Sequence, residues 1–161
     1  MTGFTLLELV VGIVVFTISL TVVLSLIAPQ AAQTAEPLRQ VKAAKLGQSL
    51  MNDILSRSFD ENSDKSPPFE TCNEKASGCS TTLGSEEASS DDYDDVDDYN
   101  GLTVNNVGGN YSSFSYTVNV EYDSDLNQAT SNDGDTYKRI DIAVTAPDGQ
   151  VYRFSAYRGS Y

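Results

Sequence analysis

Hydrophobic and polar positions change their rhythm several times along this chain. From Phe4 to Ala28 almost every position is apolar, with no Lys, Arg or Asp and one carboxylate, Glu8. At 1.5 Å per residue a helix of that length spans on the order of 35 Å, enough to cross a bilayer core of roughly 30 Å. Residues 29–59 switch to helical alternation, with Leu38, Val41, Leu46, Leu50, Met51, Ile54 and Leu55 set among Arg39, Lys42, Lys45, Gln48, Asn52 and Arg57. This second half is amphipathic, and its stripe is expected to pack on the protein's own sheet. Pro29 and Pro37 stand at the junction, where each removes a helical hydrogen bond and favours a kink or local break.

Periodicity is lost over residues 60–101, where Ser, Asp, Glu, Gly and Pro dominate and loops are expected. Over residues 102–161 the period drops to two. Phe114, Tyr116, Val118, Val120 and Tyr122 alternate with polar residues, and Ile140, Ile142 and Val144 do the same. Ala146 to Gly149 reads as a turn, with "QVYRFSAY" returning as the partner strand. The expected fold class is α+β: a long N-terminal helix, half transmembrane and half amphipathic, packed on an antiparallel sheet of about three or four strands. Lys138, Arg139 and Arg153 are of the type that discourages pairing at a sheet edge.

Charge narrows the choice of partners. The net charge is −13, and residues 60–98 hold thirteen Asp and Glu against Lys65 and Lys75. That concentration argues against nucleic acid or anionic lipid as a partner of the head, and reads as a solvated outer surface. No histidine is present, so a Ser-His-Asp or Cys-His arrangement is impossible, and no glycine-rich phosphate loop occurs. The chain is not expected to be an enzyme. Cys72 and Cys79 are the only cysteines. An exported head would meet an oxidising compartment, where they are expected to form a disulfide rather than a metal or CxxC redox site. Two free thiols are the alternative.

Two acidic segments raise the question of calcium. "DDYDDVDDYNG", Asp91 to Gly101, has six aspartates, but placing Gly101 at the sixth position of an EF-hand loop puts Val96 at the first. "DSDLNQATSNDGD" puts Asp123, Asp125 and Asn127 at positions one, three and five. Gln128 then stands where Gly is wanted and Gly134 where the bidentate Glu belongs. Solvated loops are therefore the first expectation, with no cofactor, and calcium on Asp123, Asp125 and Asn127 is the alternative. Exposed tyrosines would allow sugar stacking, although most are expected to cover the core.

Gly3-Phe4-Thr5-Leu6-Leu7-Glu8, followed directly by the apolar helix, resembles the processing and assembly signature of type IV pilins and type II secretion pseudopilins. The resemblance implies that residues 1–3 are a leader, that a prepilin peptidase cuts after Gly3 and methylates the amine of Phe4, and that Glu8 is retained for assembly. In a filament Glu8 would neutralise the Phe4 amine of a neighbouring subunit. Charges that are each costly in an apolar bundle become tolerable when paired. Leaders of that family usually carry Lys or Arg, and Met1-Thr2-Gly3 has neither. Residues 94–101, "DDVDDYNG", also resemble minor pilins of mannose-sensitive haemagglutinin-type pili. The implied protein is a minor pilin serving surface adhesion, either incorporated into a helical filament of other pilin subunits or priming its assembly. It would sit in the bacterial inner membrane with a periplasmic head before export into the pilus. A secretion pseudopilin and a single-pass anchored protein that binds ligand or calcium are the alternatives. The implied organisation is a filament-core helix at 4–28, its amphipathic continuation at 29–59, and a head at 60–161 made of acidic loops (60–101) and a sheet (102–161).

Overall fold

A computed structural model describes residues 5–33, 35–124, 126 and 137–160. The chain divides into two compact units, Met1–Arg39 and Gln40–Tyr161.

The first unit is built on helix α1, Leu6–Gln33. Thr5 caps it: the Glu8 N–H donates to Thr5 Oγ1 at 3.3 Å and the Leu9 N–H to the Thr5 carbonyl at 3.2 Å. Glu8 thus occupies the third helical position, where a carboxylate complements the positive end of the helix dipole. Every side chain from Leu6 to Leu26 is exposed, and this 21-residue stretch has a mean hydropathy of 2.7. It is long and apolar enough to cross a membrane. Its few hydroxyls fold back on the helix itself: Thr17 donates to the Val14 carbonyl, Ser19 to Val15, Thr21 to Thr17 and Ser25 to Val22, at 2.8–2.9 Å. Those donors therefore need no water, which suits an apolar surrounding.

Helix α2, Ala35–Leu55, begins in the first unit. Pro37 lies in its first turn, where the missing N–H has no helical partner to lose, whereas α1 runs through Pro29 to Gln33. From Gln40 onward α2 belongs to the second unit, and there Ala43, Leu46, Met51 and Ile54 are buried. They meet Val118, Val120, Ile140, Ile142 and Val144 in one core, together with Val96, Tyr99, Phe114 and Ala146.

The sheet is a four-stranded antiparallel meander in chain order, formed by β1 (Thr103–Val104), β2 (Ser115–Tyr122), β3 (Tyr137–Thr145) and β4 (Val151–Gly159). Strand β3 is interior, pairing Val120 with Ile140 on one side and Ile140 with Ala156 on the other. The β3–β4 turn, Pro147-Asp148-Gly149, is closed by the Gly149 N–H on the Ala146 carbonyl at 2.9 Å, and Gly149 has φ 84°, a left-handed conformation that favours glycine.

Two expectations change here. Lys138 and Arg139 do not guard an edge, because they lie on interior strand β3 and both are buried. The acidic segment is not simply a solvated surface, since Asp95, Asp97 and Asp98 are buried with Val96 and Tyr99. The reason is local spacing. Val96 and Tyr99 are drawn into the core, and the short 3₁₀ turn Asp97–Tyr99 carries the intervening aspartates in with them.

Candidate functional site

Of the residues that the sequence singles out, Gly3 and Phe4 lie outside the described residues, and Glu8 stands at the capped start of α1. Cys72 and Cys79 are joined in a disulfide with Cα atoms 4.7 Å apart. Their small cluster with Phe59 and Tyr122 ties the loop to the end of β2. Asp123 is buried, and its Oδ2 accepts from Arg139 Nη1 at 3.0 Å and from the Tyr157 hydroxyl at 2.9 Å. Asp125 and Asn127 fall outside the described residues.

Arg139 sits on the face of the sheet opposite the core, where strand register brings Glu121, Arg139 and Tyr157 abreast. Its guanidinium reaches Glu121 at 2.8 Å, Asp123 at 3.0 Å and Asp141 at 2.9 Å. Burial works against its charge, but Asp141 and Asp123 outweigh that and raise its pKa.

One residue earlier, Lys138 points the other way and is 0% exposed. Its ammonium donates to the Phe59 carbonyl at 2.6 Å, to Asp60 Oδ2 at 3.2 Å and to Asp97 Oδ1 at 2.6 Å, which uses all three protons. The Phe59 ring lies 4.5 Å from it and the Tyr122 ring 5.3 Å. Asp60 also accepts the N–H groups of Asn62 at 3.0 Å and Ser80 at 2.9 Å. Burial alone would raise the Asp60 carboxyl, but Lys138 and those two amides reverse the sign and hold it below the usual carboxylate range.

A second buried group of carboxylates has fewer donors. Asp95 Oδ1 accepts from the Asp97 and Asp98 amides at 2.9 and 3.2 Å, and Asp98 Oδ2 accepts from the Asp94 and Asp95 amides at 2.9 and 3.1 Å. Burial, reinforced by neighbouring Asp97 and Asp98, pushes the Asp95 carboxyl up to about 8. Glu86 and Glu87 approach Asp98 from the preceding loop, and one oxygen from each of the three lies within 4.8 Å of the others. Proton sharing with Asp98 raises Glu87, while burial and the charges of Asp97 and Asp98 raise Glu86. Tyr99, beside this group, packs edge-on against Tyr93 with ring centroids 5.1 Å apart and donates to Asp53 at 3.2 Å.

The sequence pattern flagged neither the Lys138 node nor the meeting of Glu86 and Glu87 with Asp98. A lone lysine in phase with Ile140, Ile142 and Val144 was the signal for the first. No family model, curated protein or solved structure matches the chain.

Proposed function

We propose that this chain is a minor subunit of a type IV pilus, of the mannose-sensitive haemagglutinin type. In this reading it is held in the inner membrane through Leu6–Leu26 and then drawn into a helical filament. The observation that carries the reading is the placement of Glu8, the only ionisable side chain in a stretch that is otherwise predominantly apolar on every face. A helix of that kind needs apolar neighbours on every side, which copies of itself would supply. An ionised carboxylate among them needs a cation. Cleavage after Gly3 would create one in the right place, the amine of Phe4, and head-to-tail contacts that do not close would extend the pairing into a helical polymer. The Cys72–Cys79 disulfide is in keeping with an exported head.

Intact-mass measurement on protein from native membranes tests the processing step, and the expected chain begins at Phe4 with one added methyl. Glu8→Ala and Glu8→Gln are both expected to keep the protein out of sheared filaments, the glutamine showing that charge rather than side-chain size is required. A chain that keeps its leader, or either variant entering filaments at the wild-type level, overturns the reading.

A further inference from the structure

We propose that Glu86, Glu87 and Asp98 form a binding site for a hard divalent cation of calcium's class, which pins the loop before Asp91 to the Asp97–Tyr99 turn. One carboxylate oxygen from each residue lies within 4.8 Å of the other two. Calcium binds oxygen at roughly 2.4 Å, so atoms up to about twice that distance apart can touch one ion together. Asp98 lies at the floor and is only 2% exposed. Its Oδ2 is held by two backbone amides, which aim the carboxylate, while Oδ1 is buried and accepts from no amide, hydroxyl or basic group among the described residues. Glu87 Oε2 is likewise buried and unmatched. Buried carboxyl oxygens that face one another are costly unless a proton or a metal cation lies between them, and a divalent cation can take the place of the proton.

The nearby ammonium groups are engaged elsewhere. Lys65 pairs with Asp94, and Lys138 pairs with Asp60 and Asp97. Among the described residues no ion pair is formed by Glu86, Glu87 or Asp98. The donor set is all oxygen, which selects a hard cation over zinc or copper. Glu86 is exposed and Glu87 half-buried, so water can complete the coordination from the solvent side. A bound ion would reinforce a link that the Asn100 side chain already makes, its Nδ2 donating to the Leu83 carbonyl at 3.1 Å. This site is separate from the Asp123 loop considered from the sequence, and it does not follow EF-hand spacing.

The test is calorimetric titration of calcium chloride into the full chain in detergent micelles, after chelator treatment, alongside thermal melts. Saturable binding is expected with a dissociation constant of about 1 mM or tighter, together with a higher melting temperature. Glu86→Gln and Glu87→Gln are each expected to weaken binding about tenfold or more, whereas Asp91→Asn is expected to leave it unchanged. Asp98→Asn tests the floor of the site. Because Asp98 also holds two backbone amides, the exposed glutamates carry the decision. Absence of heat and of any melting shift up to about 10 mM calcium overturns the proposal. So does wild-type affinity in both glutamine variants, which would put the ion elsewhere.

Discussion

Lys138 has the composition of an edge guard and the behaviour of a core residue. In "KRIDIAVT" it is in phase with Ile140, Ile142 and Val144, so the parity of the strand turns its side chain inward. The cost of burying the ammonium is offset because its three acceptors are already in place, two of them carboxyl groups. Asp60 is the partner whose removal is most informative. Asp60→Asn keeps an oxygen for the Asn62 and Ser80 amides but leaves Lys138 with one carboxylate, Asp97, and is expected to cost about 2–3 kcal/mol at neutral pH. The sign of the pH dependence follows from the depressed pKa. Asp60 titrates lower in the folded protein than its unfolded value of about 4, so its contribution is complete above that value and is lost as pH falls through the folded pKa. The stability gap between wild type and Asp60→Asn, read from urea midpoints at a series of pH values, should therefore close toward acid. A gap independent of pH would show that the charge on Asp60 does not support Lys138. Strand phase held the inward direction of Lys138, but its charge led to the edge-guard expectation instead. Its partners were not legible, because Asp60 and Asp97 lie 78 and 41 residues away along the chain.

At the level of elements, the helical and strand segments were legible because their periods of 3.6 and two are local properties. The contact between α2 and β4 is less visible, and it depends on Gly47. A Cβ at that position would come within 2.3 Å of the Phe154 ring, so the absence of a side chain lets the aromatic seat against the helix. Gly47→Ala gains helix propensity of about 1 kcal/mol but forces the ring aside, and the net expectation is a loss of about 1 kcal/mol. In a Phe154→Ala background the clash disappears and the same substitution should become stabilising. Chemical denaturation of the four proteins checks this, and the clash account fails if Gly47→Ala has the same sign in both backgrounds. The acidic segment was the harder reading. "DDYDDVDDYNG" looks solvated because its aspartates outnumber its apolar residues, yet Val96 and Tyr99 set its position. Glu86 and Glu87 reach Asp98 only after the chain has turned back, an encounter that no spacing rule encodes.

On the scale of the whole chain, the division at residue 39 has a thermodynamic consequence. The two units are held by different physics: Gln40–Tyr161 by a core that excludes water, and α1, whose apolar side chains are exposed from Leu6 to Leu26, by its own backbone hydrogen bonds. In detergent micelles the second unit should melt in one cooperative transition, seen in the near-UV signal of its tyrosines. α1 has no aqueous unfolded state to enter and should keep its far-UV signal. Since the apolar span Leu6–Leu26 holds 21 helical residues and α2 another 21, a large share of the helical signal should survive the melt. Reducing the Cys72–Cys79 disulfide is expected to lower the transition by the equivalent of about 2–3 kcal/mol, because the closed loop restrains only the unfolded state of the second unit. The residual helical signal should not respond to reduction at all. If instead helix and tyrosine signals vanish together in one transition, the two units are energetically coupled.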